Sequence, residues 1–152
     1  LSMILHPALL LADEPTSALD ATLQYQVIEQ FGRMREISDV SMMIVSHNLS
    51  VLAKICDKTA IMYGGRILEY GNTLDVLLKP SHPYTQSLLK SVPKLNGPLS
   101  QGLSGLPPLS ADNFGGCCFA ERCPRAAARC RHESYKMKMV SPTHYASCIQ
   151  PV

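Results

Sequence analysis

Two adjacent acids, Asp13 and Glu14, close the apolar run Leu9-Leu10-Leu11-Ala12. A strand that ends on two carboxylates holds them rigidly at the rim of a sheet, and charged groups placed there need a task. In phosphoryl-transfer sites the first acid holds Mg2+, directly or through water, and the second polarises the attacking water, because that chemistry is mostly positioning and charge stabilisation. Taken alone, an Asp-Glu pair is more plainly a strand running out into a solvated acidic turn, so its surroundings have to decide. The other candidate is a cluster of thiols. Five of the six cysteines, Cys117, Cys118, Cys123, Cys130 and Cys148, fall near the end of the chain, while Cys56 stands alone. Disulfides need an oxidising compartment, which nothing else in the composition suggests; thiols gathered in one segment otherwise point to metal or redox chemistry.

The elements that must position these groups follow from apolar periodicity. Leu9 to Ala12 is expected to be a buried strand, and Leu23, Val27, Phe31 and Met34 recur at helical spacing behind Asp20, an N-cap. Met42 to Val45 forms a second apolar run, stopped by Ser46-His47-Asn48, after which Leu49, Leu52, Ala53 and Cys56 mark one face of a short helix. Ala60 to Tyr63 and Arg66 to Glu69 flank Gly64-Gly65, the signature of a β-hairpin with a two-residue turn. Strands alternating with helices read as an α/β domain over residues 1–78. Beyond Lys79 the texture changes to a Pro/Gly/Cys-rich appendage over residues 79–152, punctuated by Pro80, Pro83, Pro93, Pro98, Pro107 and Pro108. It holds one helix, begun at Pro83, with Tyr84, Leu88, Leu89 and Val92 on one side.

At 152 residues and 46% hydrophobic, the chain can bury one ordinary core or a modest core with a small addition. A net charge of +2 with 17% charged residues argues against nucleic acid as a partner. No uninterrupted apolar run approaches the roughly 20 residues that cross a bilayer. The start has neither a basic n-region nor an A-x-A-like cleavage site, and its abrupt opening inside an apolar stretch leads us to expect a truncation, with a segment missing upstream of Leu1.

The run Leu9-Leu10-Leu11-Ala12-Asp13-Glu14-Pro15-Thr16-Ser17-Ala18-Leu19-Asp20 resembles the Walker B and D-loop segment of ABC ATPases, and Ile44-Val45-Ser46-His47 resembles their switch-histidine strand. This resemblance implies a P-loop NTPase (RecA-like ABC ATPase) core. Glu14 and His47 are the implied catalytic residues, Asp13 the Mg2+ ligand, and Ser17 to Asp20 the D-loop that contacts a partner subunit, with Ser17 and Asp20 as its site residues. Asn48 stands where many members carry an acid. No G-x-x-x-x-G-K-[ST] loop, Q-loop or LSGGQ-type signature occurs in the chain, so the core is expected to be incomplete. Backbone N–H groups of such a loop, with its Lys and Ser/Thr, supply most of the grip on a nucleotide; this chain alone is therefore expected to bind ATP with Mg2+ poorly and to hydrolyse almost none. In the family fold the phosphate-loop strand lies between the strand ending near Ser46 and that near Ala60, so its loss should leave unpaired edges and poor solubility.

Glu69-Tyr70-Gly71 and Lys79-Pro80-Ser81-His82-Pro83-Tyr84-Thr85 resemble the tail of oligopeptide and dipeptide importer ATPases, a family that includes nickel importers. Gly116-Cys117-Cys118-Phe119-Ala120-Glu121-Arg122-Cys123-Pro124 resembles the cysteine signature of the same tail. Carried across, the metal-ligating thiols are Cys117, Cys123, Cys130 and Cys148, with spacing C-x5-C-x6-C-x17-C, and Cys118 is a bystander. Some members hold a four-iron, four-sulfur (4Fe-4S) cluster there. The spacing departs from the paired C-x2-C knuckles of zinc modules, which favours that cluster over Zn2+; four reduced thiols packed without metal are the alternative.

The family implies ATP hydrolysis coupled to uptake of short peptides at the cytoplasmic face of the cell membrane. The implied partners are a second ABC ATPase subunit, membrane permease subunits and, indirectly, an extracytoplasmic peptide-binding protein. The rival readings are a non-catalytic truncated interaction or regulatory module, and a metal-binding redox module.

Overall fold

The computed structural model describes residues 7–37, 40–92, 105–106, 114–133 and 136–151. Leu1, and most of the Pro/Gly-rich stretch between Pro93 and Pro108, lie outside them. The chain mixes helices and strands and divides into two compact units, Leu1–Asp57 and Lys58–Val152.

The first unit is a strand-helix-strand-helix run: β1 (Leu9–Asp13), α1 (Ala21–Ile37), β2 (Ser41–Val45) and α2 (Leu49–Ile55). β1 and β2 are parallel, in register from Leu9 opposite Ser41 to Asp13 opposite Val45. Parallel neighbours need a crossover, which α1 supplies. Asp20 starts α1 as expected: its Oδ1 accepts from the N–H groups of Thr22 and Leu23, both at 2.9 Å. Asn48 caps α2 in the same manner, accepting from the Ser50 N–H at 3.0 Å. The buried face of α2 is Val51, Leu52 and Ile55, and Ala53, expected on that face, is exposed. The larger correction concerns β1. Side chains alternate across a strand, and Leu9 and Leu11, with Met43 and Val45 of β2, form one exposed apolar face among the described residues. Parallel sheets are ordinarily covered on both faces, which is why the continuous apolar run reads as buried in sequence.

The second unit is built on a hairpin of β3 (Lys58–Tyr63) and β4 (Arg66–Asn72). Gly64 and Gly65 adopt φ of 53° and 74°, the left-handed values that a tight hairpin turn requires. α3 (Thr73–Leu78) and α4 (Pro83–Lys90) follow, then two short 3-10 turns at Ala120–Arg122 and Ala128–Arg131, and β5 (Lys138–Ser141) and β6 (His144–Ala146). The antiparallel sheet runs β3-β4-β6-β5. Strands from the end of the chain therefore complete the hairpin's sheet, and the spatial division at Asp57 does not coincide with the change of sequence texture near Lys79.

The core of this unit is Tyr63, Leu68, Cys118 and Phe119, with Tyr84 and Phe114 packed against it. The rings of Tyr63, Tyr84 and Phe119 lie pairwise 4.7 to 5.3 Å apart, tilted or edge-on. Such pairs contribute about 0.5–1.5 kcal/mol each beyond their area. They fasten α4 and the cysteine segment to the hairpin. Within α4 the buried residues are Pro83 and Thr85, while Val92 is exposed, so only part of the expected apolar side is covered. Close approach of backbones is needed where the Cys117 N–H donates to the Cys130 carbonyl at 2.7 Å. A Cβ on the adjacent Gly116 would collide with that carbonyl and lie 2.6 Å from the Arg131 carbonyl carbon, so this crossing requires glycine. Among the described residues, no helix is long and apolar enough to cross a membrane.

Candidate functional site

The parallel pairing of β1 and β2 brings their C-terminal ends side by side, the place where ligands bind in open α/β sheets. The ladder runs one residue past β1, the Glu14 N–H donating to the Val45 carbonyl at 2.9 Å. Glu14 takes a φ of 44°, left-handed backbone that a side-chain-bearing residue rarely adopts. That strain turns the chain sharply into Pro15 and aims the carboxylate across to β2. Glu14 Oε1 accepts from the His47 backbone N–H at 3.0 Å and lies 2.9 Å from His47 Nδ1. The other oxygen, Oε2, is buried and meets no partner. A buried carboxylate oxygen without a donor is costly.

Asp13 sits beside Glu14 on the exposed end of β1. The Ser17 N–H and Oγ–H donate to the Glu14 carbonyl at 3.2 and 3.1 Å, which closes the loop after the acids. Asp20 is occupied in capping α1. Glu14 and His47 are thus in contact, with Asp13 next along the strand and Ser17 folded against the same loop. The Glu14 side chain is about one-third exposed and His47 largely exposed, so the histidine side of this pair is open to solvent.

The cysteines gather in the second unit. Cys117, Cys123, Cys130 and Cys148 line one cavity with Arg125 and His82. Burial pushes the Cys117 thiol up to about 11, and it raises Cys123 and Cys148 as well. Neighbouring thiols add to this: Cys117 feels Cys118, then Cys148 and Cys123, and Cys148 feels Cys123 and Cys130. None of the four is in a disulfide. Cys118 stands apart from the cavity, buried in the aromatic core, where its Sγ–H donates to the Tyr63 carbonyl at 3.3 Å. Among the described residues, however, no three His, Cys, Asp or Glu side chains converge tightly enough to hold one metal ion, so side-chain geometry leaves the expected Zn2+ or iron–sulfur group unsupported. Lining a common cavity is a looser condition than meeting around a single ion.

Sequence reasoning missed a buried polar hub beside this cavity. Glu69 is fully buried on β4, and its Oε1 accepts from the Ser81 N–H and from His144 Nε2, each at 2.6 Å, while Oε2 accepts from the His82 N–H at 3.0 Å. The one available signal was an acid in the middle of a strand, between Leu68 and Tyr70. His82, read from sequence only as part of a tail motif, is the N-cap of α4: its Nδ1 accepts from the Tyr84 N–H at 3.0 Å. Burial lowers its pKa from 6.5 to about 4, so the folded ring is neutral. An unfolded chain therefore binds the extra proton first as pH falls. The stabilisation is complete above about pH 6.5 and is lost progressively toward pH 4, amounting to about 3 kcal/mol. Urea midpoints measured from pH 7 to pH 4.5 should fall steeply through this window; a flat profile would show that His82 is not buried as described.

Residues 68–130 match the family model described as oligopeptide/dipeptide transporter, C-terminal region. Similarity to ATP-binding proteins of peptide transporters runs along nearly the whole chain and matches the C-terminal part of those relatives. The chain is 39% identical over 150 residues to the dipeptide transport ATP-binding protein DppD of Bacillus subtilis, covering 97% of this chain and 45% of that protein. It is 37% identical over 154 residues to the oligopeptide transport ATP-binding protein OppD of Salmonella typhimurium, covering 100% of this chain and 46% of that protein. The OppD protein of Escherichia coli matches at 37% over 154 residues, again 100% of this chain and 45% of the relative. The chain thus spans less than half the length of the curated relatives it matches.

Proposed function

We propose that this chain supplies the hydrolysis-side half of an ATP-binding subunit in an ABC importer, coupling ATP hydrolysis to uptake of short peptides. The observation that carries this reading is the Glu14–His47 contact across the ends of two parallel strands. In this role Glu14 orients and deprotonates the water that attacks the terminal phosphate. His47 holds that carboxylate through both its backbone N–H and its ring. Asp13 would hold Mg2+, which neutralises charge on the phosphates when bound. Ser17 and Asp20, on the loop between Glu14 and α1, are the residues offered to a second ATPase subunit. The exposed apolar face of Leu9, Leu11, Met43 and Val45 favours this reading over a free-standing module, because such a face in a parallel sheet ordinarily packs under further structure. Membrane permease subunits and an extracytoplasmic peptide-binding protein complete the proposed assembly, which places the chain at the cytoplasmic face of the cell membrane.

The test is steady-state phosphate release by the chain alone and after co-expression with a polypeptide supplying the phosphate loop, Q-loop and signature motif. Negligible release from the chain alone and Mg2+-dependent release from the pair are expected. No release from a folded, ATP-binding pair would leave the non-catalytic interaction module as the better reading.

The thiol cavity favours a second role, as the seat of a 4Fe-4S cluster. Four soft thiol donors sharing one cavity suit it, and a buried N–H without an acceptor at His82 asks for an anionic occupant. Among the described residues, no three His, Cys, Asp or Glu side chains converge to hold a metal, which weighs against Zn2+ and the cluster alike and keeps four reduced thiols packed without metal as the alternative. When bound, such a group supplies cross-linking of the segments that carry the thiols. The high thiol pKa values mean that these side chains give up protons on ligation.

A further inference from the structure

The loop from Glu14 to Asp20 begins on a strained residue. Glu14 keeps its left-handed φ of 44°, and such a conformation persists only where the surroundings over-determine it. The restraints run outward from that residue. The Glu14 carbonyl accepts from the Ser17 N–H and Oγ–H, which closes the first turn. Inside that turn Thr16 is only 2% exposed, and its carbonyl accepts from the Leu19 N–H at 3.2 Å. The same carbonyl accepts from Gln24 Nε2 at 3.0 Å. Gln24 stands near the start of α1, where its own N–H donates to the Asp20 carbonyl at 2.8 Å. Its side chain therefore reaches back eight residues, from a regular helix to a loop. The bonds from Ser17 and Leu19 are internal to the loop and move with it, whereas the bond from Gln24 fixes the loop against α1.

We infer that Gln24 is a positioning residue for hydrolysis: by holding the Thr16 carbonyl against α1, it keeps Glu14 in its left-handed conformation and the Glu14 carboxylate on His47. This rests on reading Glu14 as the base that acts on the attacking water. The Thr16 carbonyl already has a donor in Leu19, so Gln24 is not needed to satisfy it. Losing one neutral hydrogen bond to a carbonyl that keeps another costs little stability. What is lost is a constraint. The ring of Pro15 fixes its own φ, so a turn that shifts takes up the change at neighbouring Glu14. A residue before proline prefers extended backbone with negative φ, which gives that relaxation a direction. Glu14 Oε1 then leaves the His47 N–H that it meets at 3.0 Å. Gln24 touches no reacting atom; its effect passes through Thr16 and the turn.

The test compares the unaltered chain with Gln24→Met, which keeps length and helix propensity but has no donor, and with Gln24→Lys, which restores an N–H donor at similar propensity. In the chain itself the His47 amide proton, hydrogen-bonded to Glu14 Oε1, should move upfield in Gln24→Met and return part of the way in Gln24→Lys. Melting temperatures of all three should agree within about 2 °C. In the hydrolysing pair, Gln24→Met should lower kcat about 10- to 100-fold with KM for ATP unchanged, the penalty for misplacing a reacting group by about 1 Å, and Gln24→Lys should recover part of it. A role confined to stabilising α1 would instead lower the melting temperature and leave the His47 amide in place. An unmoved His47 amide in Gln24→Met, or full kcat in a Gln24→Met pair, would overturn the inference while leaving Glu14 as the base. Absence of turnover in the unaltered pair would fall on the functional reading alone, and the His47 amide would still decide whether Gln24 holds the loop.

Discussion

Replacing Glu69 with Ala is expected to lower the stability of the second unit by about 3–5 kcal/mol, the cost of removing one partner from a buried charged network. Three donors converge on this carboxylate: the backbone N–H groups of Ser81 and His82 and the ring of His144. All four residues are buried, with Glu69 wholly so. Water cannot reach the donors left behind, and each unpaired one costs about 1–3 kcal/mol. The loss is a large part of the 5–15 kcal/mol that holds an ordinary domain together. A fall of about 15 °C or more in melting temperature is the corresponding thermal result. Glu69→Gln should be milder, because its amide oxygen still accepts while its NH2 opposes a donor. The geometry gives a reason for the position as well. Glu69 on β4 joins the turn before α4, through Ser81 and His82, to β6 through His144, so three distant segments close on one side chain. If Glu69→Ala melts within about 2 °C of the unaltered chain, the hub is not the fastening described.

Glu14→Gln, made in the hydrolysing pair proposed above, is expected to reduce phosphate release by about 10²–10⁴-fold, the usual contribution of a general base. The amide keeps the shape and still accepts from the His47 N–H, so ATP binding should survive while turnover is lost. His47→Ala should cost less than Glu14→Gln. It removes the ring, but the backbone N–H at 3.0 Å continues to hold Oε1. The diagnostic outcome is thus an ordering, with Glu14→Gln below His47→Ala and both binding nucleotide. Equal activity of Glu14→Gln and the unaltered pair would remove Glu14 from the chemistry and with it the central support of the functional proposal.

The local pieces of this protein were open to reading residue by residue. Asp20 and Asn48 cap helices because a short polar side chain satisfies N–H groups two or three residues on, and Gly64-Gly65 turns a hairpin because only glycine takes positive φ twice in succession without strain. The approximate place of the acids and of the histidine follows from where apolar runs stop. Their meeting does not. That Glu14 faces His47 depends on parallel register between β1 and β2 and on a left-handed backbone at Glu14 itself, and neither is a property of any short window. The exposed face of β1 shows the same limit from the other side, since a continuous apolar run states that a strand can be buried on both faces and not which faces find cover.

What the amino-acid order determined by itself is therefore the set of elements, their caps and turns, the resemblance carried by the acid pair and the tail motifs, and the inventory of thiols. Tertiary structure alone decided that β5 and β6 complete the hairpin sheet, that Glu69, His82 and His144 form one buried network, and that four cysteines spread over C-x5-C-x6-C-x17-C line a common cavity. The physical reason is range. Capping and turn formation act over two to four residues, where side-chain chemistry is enough to fix the outcome. Strand pairing and desolvation act between residues far apart in the chain, where the outcome depends on how every intervening segment packs.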